Sequence, residues 1–223
     1  MVDAAEDVMT QAIAAFVPLL ETRLRFGIFT TEDSVRYTFF AALLRSGVEP
    51  EQVVLEAHYQ AIARAELDLL ICSPLKVPLA AAEFKYDRAI PGGKHLPRTQ
   101  KAGKLFANLR RLLLWHEPVT FYFIYLTDGE MHRYLCNPHN GVSAIFTLEQ
   151  GKEYPLATDS FTSRAAAFHK AMGNWTDSAT LRIRVNMDVL PDHHLWILSI
   201  HHTAPATGTQ QLATDDRRLA TDD

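Results

Sequence analysis

Residues 65–86 read Ala65-Glu-Leu-Asp-Leu-Leu-Ile-Cys-Ser73, then Pro74-Leu-Lys76, then Val77-Pro-Leu-Ala-Ala-Ala-Glu-Phe-Lys-Tyr86. Both flanks are short apolar runs bounded by Ser73, Pro74 and Lys76, so the spacing predicts two strands joined by a tight turn and paired as a hairpin. Charges are costly in such strands, because an unpaired carboxylate is expensive to bury. Asp68, Glu83 and Lys85 nevertheless sit inside them or at their edges. Side chains alternate across a strand, so Glu83 and Lys85 share one face while Phe84 takes the other, and Asp68 on the neighbouring strand is expected to approach Glu83.

Two carboxylates beside a main-chain carbonyl, here that of Phe84, make a hard, oxygen-rich site suited to Mg²⁺ or Mn²⁺. A lysine one pleat further along can orient an attacking water or offset developing negative charge. Asp68 followed by Glu83-Phe84-Lys85 on the next strand resembles the D…(D/E)-x-K signature of the PD-(D/E)XK nuclease superfamily, over roughly Thr30 to Thr127. Leu67 stands where the family name has proline. The resemblance implies an α/β fold with an αβββαβ restriction-endonuclease-like core, its mixed central sheet flanked by helices. It also implies hydrolysis of phosphodiester bonds, DNA in preference to RNA. Asp68, Glu83 and the Phe84 carbonyl would hold the ion, and Lys85 would position the water. By the same resemblance, Glu32 on the first helix of the core joins the metal shell or supports it, and Gln100 and Lys104 on the second helix line the active site. The plain alternative for Asp68, Glu83 and Lys85 is a surface hairpin with cross-strand Lys-Glu pairing. The apolar neighbours Leu67, Leu69, Leu70, Ala81 and Ala82 speak against a solvated face.

Working outward, residues 3–24 have helical spacing, with an apolar face of Val8, Met9, Ile13, Phe16, Val17, Leu20 and Leu24 that suits packing on the core or a homodimer contact. Thr30 and Thr31 ahead of Glu32 and Asp33 open an N-capped helix ending near Gly47, with Glu32 on the extension of its Val35, Phe39 and Leu43 stripe. On that helix Glu32 and Asp33 also complement the dipole, and Arg36 one turn on is placed to pair with Glu32. Val53 to Tyr59 reads as the first strand. Glu56 and His58 share a face of it, and Glu66 shares a face with Asp68 as a supporting carboxylate. Pro91-Gly92-Gly93 and Pro97 mark a loop whose Lys94, His95 and Arg98 form a candidate strap over a phosphate backbone. Thr99 is expected to cap a helix from Gln100 to about Trp115, with Leu105, Phe106, Leu109, Leu112 and Leu113 buried and Gln100, Lys104 and Arg111 on the opposite side. Lys101 belongs to the same basic stretch. Ala102, Gly103 and Ala107 keep part of that helix low. Val119 to Leu126 reads as a central strand, followed by a turn at Thr127-Asp128-Gly129 and a further strand around Met131 to Leu135. Beyond Pro138, Asp159 to Met172 suggests a helix, and Leu181 to Val189 with Leu195 to Ile200 a hairpin around Pro191-Asp192.

The 223 residues, 48% of them apolar, allow one sizeable core, divided here as 1–135 for a nuclease-like core, 136–202 for an extension on the same domain and 203–223 for a disordered tail. Net charge is −4, yet Lys76 to Arg111 holds nine Lys/Arg against Glu83 and Asp87, a local +7 that leaves −11 for the remainder. A phosphate backbone senses the local patch rather than the sum. The two cysteines, Cys72 and Cys136, fit buried thiols in a reducing, cytoplasmic setting, and no apolar run approaches membrane-spanning length. His193, His194, His201 and His202, or Cys136 with His139, match no tetrahedral zinc spacing. Three activities are therefore set against one another. They are the Mg²⁺- or Mn²⁺-dependent nuclease, a catalytically silent module that binds nucleic acid or protein, and a zinc hydrolase built on histidines such as His194 and His202.

Overall fold

The computed structural model describes residues 2–59, 65–88, 97–115, 119–162, 164–176 and 178–202. Helices α1 (Val2–Arg25) and α2 (Glu32–Arg45) precede the strands β1 (Val53–His58), β2 (Glu66–Cys72) and β3 (Pro78–Asp87). Then follow α3 (Arg98–Leu113), β4 (Thr120–Asp128), α4 (Gly129–Cys136), α5 (Ser143–Phe146), β5 (Glu153–Leu156), α6 (Ala166–Met172), β6 (Ala179–Leu190) and β7 (His193–His202). The seven strands form one mixed sheet in the order β1-β2-β3-β4-β7-β6-β5. All neighbours are antiparallel except β3 and β4, which run parallel on either side of the α3 crossover. The protein is thus α/β, a mixed sheet with helices on both faces.

Alternation along the strands sorts the core into two layers. Ala80, Ala82 and Phe84 of β3 join Leu69, Ile71, Tyr122, Ile124 and Leu126 beneath Phe16, Leu20, Val35 and Phe39 of α1 and α2. Phe39 sets its ring edgewise between Phe16 and Phe84, with centroids 5.2 and 5.5 Å apart. On the other face Ala81, Phe123, Tyr125 and Trp196 meet Leu105, Phe106 and Leu109 of α3. Thr31 caps α2 by accepting a hydrogen bond from the Ser34 amide, as its position predicts.

Three expectations are corrected. Met131 to Leu135 is helical, not a strand, because Asp128 ends β4 and caps α4, its carboxylate accepting from the amides of Glu130 (3.1 Å) and Met131 (3.0 Å). Thr99 lies inside α3 rather than capping it; Pro97 takes the cap position, and the Thr99 hydroxyl accepts from Tyr134. The Asp159 to Met172 stretch divides into a 3₁₀ turn at Thr158–Phe161 and the short α6. At Gly103, where α3 is kept low, α6 packs, and a Cβ there would stand 2.8 Å from that of Ala171. The 136–202 stretch adds β5, β6 and β7 to the sheet itself, with β7 directly against β4. Residues 203–223 lie outside the described residues.

Candidate active site

The ladder between β2 and β3 runs from Cys72↔Pro78 to Leu69↔Ala82 and stops there, while β3 stays paired with β4 as far as Asp87. Beyond Ala82 the outer edge of β3 is therefore open. Two carboxylates satisfy its amides in place of a strand: Asp68 Oδ2 accepts from the Phe84 N–H at 2.7 Å, and Glu32 Oε2 accepts from the Tyr86 N–H at 3.2 Å. The carbonyl of a strand residue leaves on the same edge as its amide, so the Phe84 carbonyl faces the same gap. The Lys85 ammonium crosses the gap to donate to Glu32 Oε2 at 2.6 Å. Asp68, Glu32, Lys85 and the Phe84 main chain are thereby brought to one place, from two strands and one helix N-terminus.

Glu83 is buried, 2% exposed, on the α3 side of the sheet. Its Oε1 accepts from Nη2 of Arg111 in an ion pair, and its Oε2 has no hydrogen-bond partner among the described residues. Arg36 is buried, 7% exposed. Its guanidinium donates to Asp33 Oδ1 (2.9 Å) and Glu56 Oε1 (3.1 Å) and lies 3.6 Å from Asp68 Oδ1. It does not pair with Glu32, because Lys85 holds that carboxylate. Glu56 reaches Arg36 from a left-handed backbone conformation, φ 56°, at the point where the β1-β2 ladder skips the Glu56 and Asp68 positions. A non-glycine residue held there is strained at a cost of about 1–3 kcal/mol, and such strain concentrates at functional sites. Burial first of all raises the Asp68 carboxyl above its usual range. The nearby Glu32 charge adds to this, while the Phe84 amide, Arg36 and Arg111 oppose it.

Several sequence-derived roles shift. Arg111 is turned to Glu83 and not to an open face; its neighbour Tyr59 has its hydroxyl pushed up by burial to about 12. Lys101 stands 3.7 Å from Asp87, whose Oδ2 also accepts from Tyr125 at 3.0 Å. Arg98 opens α3 instead of sitting in the preceding loop, and it pairs with Glu130. Lys76 and Arg110 donate to the carbonyls of Glu51 and Asn174, and Arg88 lies 4.4 Å over the Phe29 ring. Of the window's described cations, Lys85, Arg98, Lys101 and Arg111 are thus paired with carboxylates, of which Glu32 and Glu130 come from outside the window and lower its +7. Lys104 is exposed and unpaired among the described residues, Gln100 is half-buried on the first turn of α3, and Lys94 and His95 lie outside the described residues. Glu66 pairs with His58 at the exposed start of β2, away from the role given to it. Arg36 and Glu56 are legible as a charge pair only once the packing of α2 against β1 is known.

A second cluster went unread. Among the described residues, one trio of His, Cys, Asp or Glu has its ligand atoms within 4.8 Å of one another: His132, Asp188 and His194, from α4, β6 and β7. His194 alone of the three had drawn attention. Also among the described residues, no helix is long and apolar enough to cross a membrane. No family model, no curated protein and no solved structure matches the chain.

Proposed function

We propose that the protein is a divalent-metal-dependent phosphodiesterase of the PD-(D/E)XK type, acting on DNA. The observation that carries this reading is the convergence of Asp68, Lys85, Glu32 and the Phe84 main chain on the open edge of β3, with Glu83 one residue away in the same strand. The element order α2-β1-β2-β3-α3-β4 supports it, being the αβββαβ plan that the sequence resemblance implies.

The donor set fits a hard cation. Asp68 is a half-buried carboxylate whose charge is disfavoured as it stands, and Glu83 keeps a buried oxygen without a partner among the described residues. Asp68, Glu83 and the Phe84 carbonyl would hold Mg²⁺ or Mn²⁺, which when bound would stabilise charge on the phosphate and acidify water. The chain's own groups do the rest. Lys85 would position a water in the gap through Nζ, and Glu32, which accepts from it at 2.6 Å, fixes the direction of that group. Arg36 balances Asp68 from behind. Gln100 and Lys104 are assigned to the substrate phosphates from α3, on the resemblance.

One observation favours a second reading. The Arg111 guanidinium already neutralises Glu83, as it would in a silent module that binds nucleic acid without cutting it. Incubating the purified chain with plasmid, linear and single-stranded DNA plus Mg²⁺ or Mn²⁺ separates the two. Cleavage that is lost in both Asp68→Ala and Lys85→Ala supports the enzyme. Binding without cleavage supports the module, and cleavage at full rate in either variant sinks the assigned mechanism.

A further inference from the structure

His194 is 6% exposed, and both its ring nitrogens are engaged: Nε2 lies 2.6 Å from Asn186 Oδ1 and Nδ1 2.7 Å from Asp188 Oδ1. The Asn186 amide cannot be turned round without loss, because its NH₂ donates to the Leu148 carbonyl at 2.7 Å. The Asn186 oxygen therefore faces the ring, and Nε2 must carry the proton that it accepts. That leaves the Nδ1 lone pair directed at a carboxylate. Two acceptors facing each other at that distance need a cation between them, either a second proton on the imidazole or a metal ion. His132 lies parallel to the His194 ring, 4.0 Å between centroids and 12° between planes, with Trp196 closing the apolar side 4.2 Å from His194.

We infer that His132, Asp188 and His194 form a site for Zn²⁺ or a similar borderline transition metal, separate from the carboxylate gap on β3. Two imidazoles and one carboxylate are a donor set that Mg²⁺ disfavours and Zn²⁺ accepts. Ligand atoms about 2.0–2.1 Å from a tetrahedral Zn²⁺ stand roughly 3.3 Å apart, so the trio, already within 4.8 Å, has to draw in by about 1.5 Å, with the His132 ring turning out of its stack on His194 so that both lone pairs meet at the ion. Asp188 is 67% exposed at its side chain, and His132 is half-buried on the outer helix. The Asn186 contact is the orienting hydrogen bond that a metal-bound histidine makes through its other nitrogen. The ion would tie α4 to the β6-β7 hairpin, with its fourth position facing solvent beside Asp188.

The test uses the full chain, stripped with a chelator and titrated with Co²⁺ and then Zn²⁺. The expected result is about one equivalent of Co²⁺ showing the intense visible bands of tetrahedral coordination, displaced by Zn²⁺. His132→Ala and Asp188→Asn, both at the surface side of the cluster, should weaken binding by tenfold or more, while Asp68→Ala leaves it unchanged. Absence of those bands in the wild type overturns the inference, as does undiminished binding in both cluster variants. Loss of the bands in Asp68→Ala alone overturns it too, by assigning the ion to the other site.

Discussion

At the scale of single residues, the site is held by charges that do not suit their surroundings without a ligand. Folding raises the Asp68 carboxyl, so its contribution to stability is complete below the unfolded value and is lost as pH rises through the folded one. Two outcomes follow from that sign. Asp68→Asn should raise the melting temperature of the metal-free protein at neutral pH by about 2–4 °C, the equivalent of roughly 1 kcal/mol in a chain of this size, while abolishing Mn²⁺ binding in calorimetry. Mn²⁺ affinity in the wild type should rise with pH from the ordinary carboxylate range upward, since the ion displaces the Asp68 proton. Arg111 gives a third outcome. Truncating it strands Glu83 as a buried, unpaired charge, so Arg111→Ala should cost about 3 kcal/mol in metal-free chemical denaturation. Saturating Mn²⁺ should restore part of the loss if the ion takes over the carboxylate, and none of it if the guanidinium is a permanent substitute.

At the scale of elements, the proposed site rests on two strands parting. β3 loses β2 beyond the Leu69↔Ala82 pair, and the amides of Phe84 and Tyr86 turn to side chains instead. The helix α3 runs back along β3, which sets Lys101 beside Asp87 and Arg111 beside Glu83. Its fit against α6 is tight at Gly103. Gly103→Ala should therefore lower the melting temperature by about 4–8 °C, corresponding to about 2 kcal/mol of overpacking, without altering metal affinity. The strands from Val53 to Leu126, the capped helix at Glu32 and the hairpin around Pro191 were readable because periodicity and turn residues are local signals. Met131 to Leu135 was misread since the deciding contact, Asp128 accepting two amides, makes a helix start resemble a hairpin turn in sequence. The basic stretch was misjudged for a different reason: a charge count over the window registers Lys85 and Arg98 but not Glu32 and Glu130, which lie far off in sequence and which the fold sets against them. The His132, Asp188 and His194 cluster was invisible because its members come from three elements that meet only in the folded sheet.

At the scale of the whole molecule, a seven-stranded sheet covered on both faces provides the rigid support on which the β3 gap is built. With Lys85, Arg98, Lys101 and Arg111 paired with carboxylates, binding to nucleic acid should draw on the cations left over, Lys104 among them. Lys104→Ala should then weaken DNA binding in Ca²⁺, a non-catalytic stand-in, and reduce the slope of log affinity against log salt by about 1. The account centres on a cation held by Asp68, Glu83 and the Phe84 carbonyl, and crystals soaked in Mn²⁺ and measured for anomalous scattering examine it most directly. The account predicts a peak between the Asp68 and Glu83 carboxylates, with the Arg111 guanidinium displaced from Glu83. A map with no peak there and Arg111 still seated on Glu83 would contradict it.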